Sequence, residues 1–231
     1  MVPAGSALLA GLLPAAVAVA VLRVSHPDAA AASPVFPGEE DLVASATGGR
    51  RREFAEARRC ARAAMAQLGL PPVAIRTGPR REPLWPAAVV GAITHCPGFR
   101  AAAVARATEV DGLGIDAEVH EGLPPGVREL VVAEGDEAML RDLAAAAPGT
   151  HWDRVLFSAK ESVYKAWYPL TGRWLGFEDA SLTISPSRGA FTARLHVDGT
   201  RTDGGPPLRE LTGRFAVVDG LILTALAVIT S

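Results

Sequence analysis

Two carboxylates, Asp116 and Glu118, stand two residues apart in the stretch GLGIDAE at 112–118. The stretch reads as a strand, and residues i and i+2 of a strand share a face. Carboxylates placed side by side repel each other unless a cation lies between them. A third carboxylate, Glu161, belongs to FSAKESVYKAW at 157–167, with Lys160 before it and Lys165 four residues on. Three carboxylates suit a hard divalent cation. The same residues also have a purely structural reading. Ser158-x-x-Glu161 has the pattern of a capping box with Ser158 as N-cap. Glu161 and Lys165 form a favourable surface pair worth roughly 0.2–0.5 kcal/mol.

The element that carries Glu161 reads as a helix over 157–167. Leu156, Ala159, Val163 and Ala166 recur at helical spacing as an apolar stripe, and Glu161 and Lys165 share a face away from it. A second long helix is expected over 39–68, with Phe54, Ala57, Ala61, Met65 and Leu68 buried and Gly69 as its stop. Arg50, Arg58 and Arg62 differ by multiples of four and so fall near one another. They read either as a solvated basic face or as a clamp for a phosphate. Residues 71–86 are irregular, with Arg76, Arg80 and Arg81 among prolines. An apolar strand over 87–94 ends at Thr94-His95, and 100–106 forms a return strand. His95 beside Cys96 raises a Cys-His hydrolase, but adjacent strand residues point to opposite faces and do not pair.

The chain has 231 residues, of which 49% are apolar, and a net charge of −2. It is long enough for one large domain or two small halves with a full core. The balanced charge gives no sign of a nucleic-acid or membrane partner. Cys60 and Cys96 match no metal spacing and no disulfide framework, so a reducing cytoplasm is expected. The apolar run at 7–22 contains Gly11 and Pro14, is short for a membrane span, and has no basic residue before it as a secretory signal wants. It is expected to be a short helix broken at Pro14, followed by a strand over 17–24, and 27–37 is expected to be a loop.

Past the midpoint, a proline-rich turn is expected at 123–126 and a helix over 134–147. Strands are expected over 180–185, 190–197, 213–218 and 221–229, with tight turns at Asp198-Gly199 and Asp219-Gly220. No dinucleotide fingerprint, no phosphate-binding Gly-x-x-x-x-Gly-Lys loop and no internal repeat occurs.

Gly-Ile-Asp-Ala-Glu followed some forty residues later by Phe-x-x-Lys-Glu-x-x-x-Lys resembles the 4′-phosphopantetheinyl transferases of the Sfp/EntD-like type. RRCAR at 58–62, ITHC at 93–96 and WLGFEDA at 174–180 are similar to the actinobacterial branch of that family. The resemblance runs in ordered blocks from about residue 40 to the C-terminus. It implies transfer of phosphopantetheine from coenzyme A to a serine of an acyl or peptidyl carrier protein, with release of 3′,5′-ADP. It implies Mg²⁺, or Mn²⁺, held by Asp116, Glu118 and Glu161, with Glu161 as ligand, as general base, or as both. Arg50 and Arg58 would grip the 3′-phosphate of coenzyme A. Thr94, His95, Lys160 and Lys165 would bind its phosphates, and Lys165 would also stabilise the leaving phosphate. The family's lysine near the Thr77 position is missing here, and Arg76 or Arg80 is the expected substitute.

The expected fold is α+β: two pseudo-twofold halves, 1–110 and 111–231, each a small antiparallel sheet against a long helix, with coenzyme A between them. A monomer is expected, because one chain supplies both halves. The alternatives are a non-catalytic carrier- or nucleotide-binding protein on this fold, and a metal-dependent phosphohydrolase using the same carboxylates with water as acceptor.

Overall fold

The stripe Leu156, Ala159, Val163 and Ala166 is completely buried in the computed structural model, which describes residues 4–24, 34–133 and 135–230. The helix that carries it is longer than its motif. In chain order the elements are α1 (Ala4–Ala10), β1 (Ala18–Arg23), a 3₁₀ turn (Glu40–Val43), α2 (Gly48–Gln67), β2 (Arg76–Thr77) and β3 (Pro83–Leu84). They continue with β4 (Val89–Cys96), β5 (Phe99–Arg106), β6 (Val110–Val119), α3 (Arg128–Val131), α4 (Asp136–Ala146) and α5 (Trp152–Thr171). The chain ends with β7 (Ala180–Ser185), β8 (Ala190–Leu195), β9 (Glu210–Val218) and β10 (Leu221–Ile229).

All strand pairings are antiparallel. β1, β5 and β4 form one sheet in that order, and β6, β10, β9, β8 and β7 form a second. Strand alternation then builds the layers. Ala102 and Val104 of β5 turn toward Ala61 and Met65 of α2, while Ala101, Ala103 and Ala105 turn the other way. There they meet Leu113, Ile115 and Ala117 of β6 and Leu223 and Ala225 of β10. The opposite face of the second sheet, with Ile222, Leu226, Phe191 and Phe215, packs on the stripe of α5. The result is helix, sheet, sheet, helix, so the apolar layer between the sheets is shared by both. This is the expected α+β architecture of sheets each backed by one long helix.

Two glycines let α5 approach β6. A Cβ on Gly114 would collide with the Ser162 carbonyl oxygen, and one on Gly112 would lie 2.8 Å from a Leu170 methyl. Glycine here gives close backbone approach rather than an unusual φ. Asp116 and Glu118 follow at the same two-residue step, so the strand is small where the helix crosses it and acidic where the helix leaves room. Gly114→Ala is expected to cost about 2–3 kcal/mol, as overpacking does, read as a lower melting temperature. An unchanged melting temperature would mean that α5 can step back from β6.

Several boundaries differ from the sequence expectation. The helix expected over 39–68 is two elements. Thr47 caps the true start of α2, its hydroxyl accepting from the Arg50 N–H at 3.4 Å. Ser158 is not an N-cap, because α5 begins six residues earlier and Ser158 is buried in mid-helix. α5 stops at Gly172, whose left-handed φ of 66° suits glycine. α3 lies between the turn expected at 123–126 and the helix expected from 134, in a segment for which the sequence gives no expectation. The loop expected over 27–37 lies largely outside the described residues, as does the start of the helix expected at 134. No helix among the described residues is long and apolar enough to cross a membrane.

Candidate active site

α2 and α5 face one another across the edge of β4, and between them lies a cavity of about 290 Å³. Arg50, Phe54 and Arg58 come from α2, Arg80 and Arg81 from the β2–β3 turn, and His95 from β4. Glu161, Tyr164 and Lys165 complete the wall from α5. The cavity is therefore cationic on the side of α2 and β4, and pairs a carboxylate with an ammonium on the side of α5.

The cationic side is held by side chains that no sequence motif marks. Arg50 Nη1 donates to Glu53 Oε2 at 2.6 Å and to His95 Nε2 at 3.1 Å, while His95 Nδ1 lies 3.2 Å from Glu53 Oε1. A guanidinium only donates, so Nε2 accepts and the proton of a neutral imidazole sits on Nδ1, facing Glu53. Burial lowers the His95 pKa, and Glu53 opposes that shift. Glu53 thus organises two cleft residues. Arg58 lies with its guanidinium 3.6 Å from the centre of the Phe54 ring, and burial pulls its pKa down to about 10. Arg80 stands 5.6 Å from the Trp174 ring, which lies 5.1 Å from Tyr164. This aromatic chain joins the first half to the second. Beside it, a more apolar recess lined by Leu130, Trp174, Leu175 and Phe177 shares Glu161 and Tyr164 with the main cavity.

On the other side, Lys165 Nζ donates to Asp116 Oδ1 at 2.7 Å and to the Ile115 carbonyl at 3.1 Å. Asp116 is buried, and its Oδ2 accepts from Ser158 Oγ at 2.7 Å. Glu118 is paired with Arg154 at 2.8 Å. Burial raises the pKa of Glu161, and the neighbouring Asp116 adds to that while Lys165 opposes it. Burial and Asp116 raise Glu118 in the same way, against Arg154. Asp116 therefore bears on both Glu118 and Glu161. Hard oxygen donors in mutual repulsion are the right chemistry for a divalent cation. Asp116 and Glu118 nevertheless each have a cationic side chain as partner. Among the described residues no three His, Cys, Asp or Glu side chains are gathered into a metal-holding group. The triad expected from the motif is thus near at hand but not assembled.

Three expected phosphate ligands lie elsewhere. Lys160 is buried and spends its three N–H bonds on Asp136 at 2.9 Å, the Val131 carbonyl at 3.0 Å and the Phe177 carbonyl at 2.8 Å. It ties α3, α4 and the turn after α5 together. Arg76 reaches away from the cleft and grips Asp41 through both terminal nitrogens, at 2.6 and 2.7 Å. Thr94 is buried, and its hydroxyl accepts the Ala117 N–H at 3.0 Å and donates to Asp116 at 3.2 Å. Strand alternation is the cause: with His95 turned to the cleft, Thr94 must face β6.

A family model described as the 4′-phosphopantetheinyl transferase N-terminal domain matches residues 38–105, and one described as the 4′-phosphopantetheinyl transferase superfamily matches 112–204. Over 194 residues the chain is 53% identical to the 4′-phosphopantetheinyl transferase Svp of Streptomyces mobaraensis, covering 84% of this chain and 78% of that one. The chain belongs to the 4′-phosphopantetheinyl transferase superfamily. It is also 48% identical to the 4′-phosphopantetheinyl transferase Npt of Nocardia iowensis over 198 residues, which are 83% of this chain and 88% of that one. With PptT of Mycobacterium tuberculosis it shares 48% identity over 196 residues, 83% of this chain and 85% of that one. This transferase is thus an enzyme. Both walls of the cleft lie within the two matched regions, α2 and β4 in the first, and Asp116, Glu118 and α5 in the second.

Proposed function

We propose that this transferase moves 4′-phosphopantetheine from coenzyme A to a serine hydroxyl of an acyl or peptidyl carrier protein and releases 3′,5′-ADP. We further propose that it acts as a monomer in the cytoplasm, built of the halves 1–110 and 111–231. The observation that carries the reading is the polarity of the cleft, with Arg50, Arg58, Arg80 and His95 at one wall and Glu161 and Lys165 at the other. A coenzyme with a diphosphate and a 3′-phosphate needs cations along its length. An oxygen nucleophile needs a base beside the phosphorus it attacks.

The serine oxygen forms a bond to the phosphorus next to the pantetheine. The bond from that phosphorus to the bridging oxygen breaks, and 3′,5′-ADP departs with the electron pair. Glu161 takes the serine proton, a task suited to a carboxylate whose pKa burial has raised. Lys165 lies one helical turn away and offsets the charge that grows on the departing phosphate. Asp116, Glu118 and Glu161 are the residues that would hold Mg²⁺ or Mn²⁺, and the ion would neutralise the diphosphate.

The test is the intact mass of apo carrier proteins of the fatty-acid, polyketide and nonribosomal-peptide types after incubation with this protein, coenzyme A and Mg²⁺. The expected result is a gain of one phosphopantetheine that a chelator abolishes. No gain on any carrier, with coenzyme A still bound, would sink the transfer reaction. Release of 3′,5′-ADP without a carrier would favour the phosphohydrolase.

A further inference from the structure

Arg58 is held more tightly than a surface cation needs to be. Its Nε donates to the Ile75 carbonyl at 2.9 Å and its Nη2 donates to Thr77 Oγ1 at 2.8 Å. The other terminal nitrogen, Nη1, has no protein acceptor among the described residues. The Phe54 ring covers the flat face of the group. A planar guanidinium bonded through both nitrogens of its Nε–Nη2 edge and covered on its face has little torsional freedom left. The direction of Nη1 is therefore set by the acceptors on Nε and Nη2.

Those acceptors are themselves rigid. Ile75 is completely buried, and its N–H donates to Glu39 Oε1 at 2.8 Å. Glu39 is also fully buried and receives Arg62 at 2.7 Å on the same oxygen. The Ile75 residue is thus fixed through its amide by Glu39 and through its carbonyl by Arg58. Two residues on, Thr77 pairs with Pro83 across the β2–β3 hairpin. The hairpin turn is tight: the Gly78 N–H donates to the Glu82 carbonyl at 2.9 Å, and a Cβ on Gly78 would strike the Glu82 side chain. Just after the hairpin, Trp85 Nε1 donates to the Gly91 carbonyl at 2.9 Å and ties the hairpin to β4. Alternation along β2 sends Arg76 out to Asp41 and leaves Thr77 facing Arg58.

We propose that Thr77 is a positioning residue whose hydroxyl orients Arg58 so that Nη1 faces the 3′-phosphate of coenzyme A. The proposal rests on the coenzyme A reading above. It gives a role to the one position in the basic loop where the sequence lacks the lysine that the family resemblance leads one to expect. The threonine contributes no charge of its own and acts by aiming a charge from α2.

The test compares dissociation constants for coenzyme A and for 3′-dephospho-coenzyme A, measured by calorimetry on the full chain. Wild type, Thr77→Val, Thr77→Ser and Arg58→Ala are assayed together with their melting temperatures. The readout is the preference for coenzyme A over the dephospho form. Valine keeps the shape and the strand preference but cannot accept a hydrogen bond. The preference is expected to fall about tenfold in Thr77→Val, the scale of one hydrogen bond to a charged group. Affinity for the dephospho form should stay within about twofold of wild type, since the lost bond serves only the phosphate arginine. Thr77→Ser should restore the preference, and Arg58→Ala should erase it. A preference unchanged or raised in Thr77→Val, while Arg58→Ala loses it, overturns the proposal and leaves the coenzyme reading standing. A lower melting temperature with an unchanged preference overturns it equally, because it marks a purely structural tie. A wild-type preference that survives in Arg58→Ala removes the clamp and the proposal together. Failure of the wild type to bind coenzyme A overturns the reading on which both rest.

Discussion

Replacing Asp116 with asparagine is expected to cut phosphopantetheine transfer roughly a thousandfold or more, the scale on which preorganised active-site charges act, while the protein stays folded. Asp116 is the hub of the α5 side of the cleft. One of its oxygens receives Lys165 at 2.7 Å and Thr94 at 3.2 Å, and the other receives Ser158 at 2.7 Å. Thr224, opposite it in the β6–β10 register, contacts Ser158 Oγ at 3.0 Å, so the carboxylate closes a network across β4, β6, β10 and α5. Asparagine keeps the shape but removes the charge. It also turns an NH₂ toward groups that already donate, so either Ser158 must accept from it and turn its own proton to Thr224, or Lys165 and Thr94 lose an acceptor. Lys165 loses the carboxylate that fixes it, and one of the three carboxylates proposed for the divalent cation is gone. The fold should survive because the Lys165 side chain is 26% exposed and can turn to water, so its charge is not stranded in an apolar interior. The measurement is the carrier mass shift over time, with circular dichroism and a melting curve on the same sample. Transfer within about tenfold of wild type, a loss too small for a lost catalytic charge, would remove Asp116 from the chemistry. A collapsed melting curve would instead make it a structural residue.

Periodicity makes much of this molecule readable from its sequence. The buried stripe of α5 and the strands over 180–185 and 221–229 follow from spacing alone, and they match α5, β7 and β10 as observed. The hairpin at Asp219-Gly220 follows from turn chemistry, and both residues take the positive φ, 50° and 72°, that such a turn demands. Failures occur where a side chain's partner is far off in sequence. Lys160 sits next to Glu161 in the motif, yet its partners come from 131, 136 and 177, and only their convergence shows that the ammonium is buried. Arg76 looks available in the sequence because Asp41, its partner, lies 35 residues away on the far side of α2 in the chain. Thr94 is instructive in another way. Alternation requires Thr94 and His95 to part, whereas the family resemblance assigns both to the phosphates. The structure follows alternation, so the local rule is the better guide to orientation. Glu39 and Glu53 escape a reading of the sequence because each acts through another residue, as a counter-charge with no motif of its own.

Lys165→Ala is expected to slow turnover roughly a hundred- to a thousandfold, as removing one preorganised transition-state cation does. Coenzyme A binding should fall by no more than about fivefold, since a cation used mainly in the transition state adds little to ground-state affinity. The cleft geometry separates the two effects. Arg50, Arg58 and Arg80 already provide cations along the other wall, with His95 beside them, so ground-state binding has other sources. Lys165 is held beside Glu161 on α5 by Asp116 and the Ile115 carbonyl. Its charge is most needed when the leaving phosphate gains charge. A second readout follows from electrostatics. Lys165 lowers the Glu161 pKa, opposing the rise caused by burial and by Asp116. Without the ammonium that pKa must rise further, and the proposed base Glu161 acts only when ionised. The acid limb of the pH–rate profile should therefore move to higher pH in Lys165→Ala. Lysine replaced by arginine keeps the charge and should leave the limb near its wild-type position, even if the bulkier group slows the reaction. A variant that weakens coenzyme binding and leaves turnover and the acid limb untouched would make Lys165 a binding residue only. A slower variant whose acid limb stays in place would separate the leaving-group role from any influence on the base.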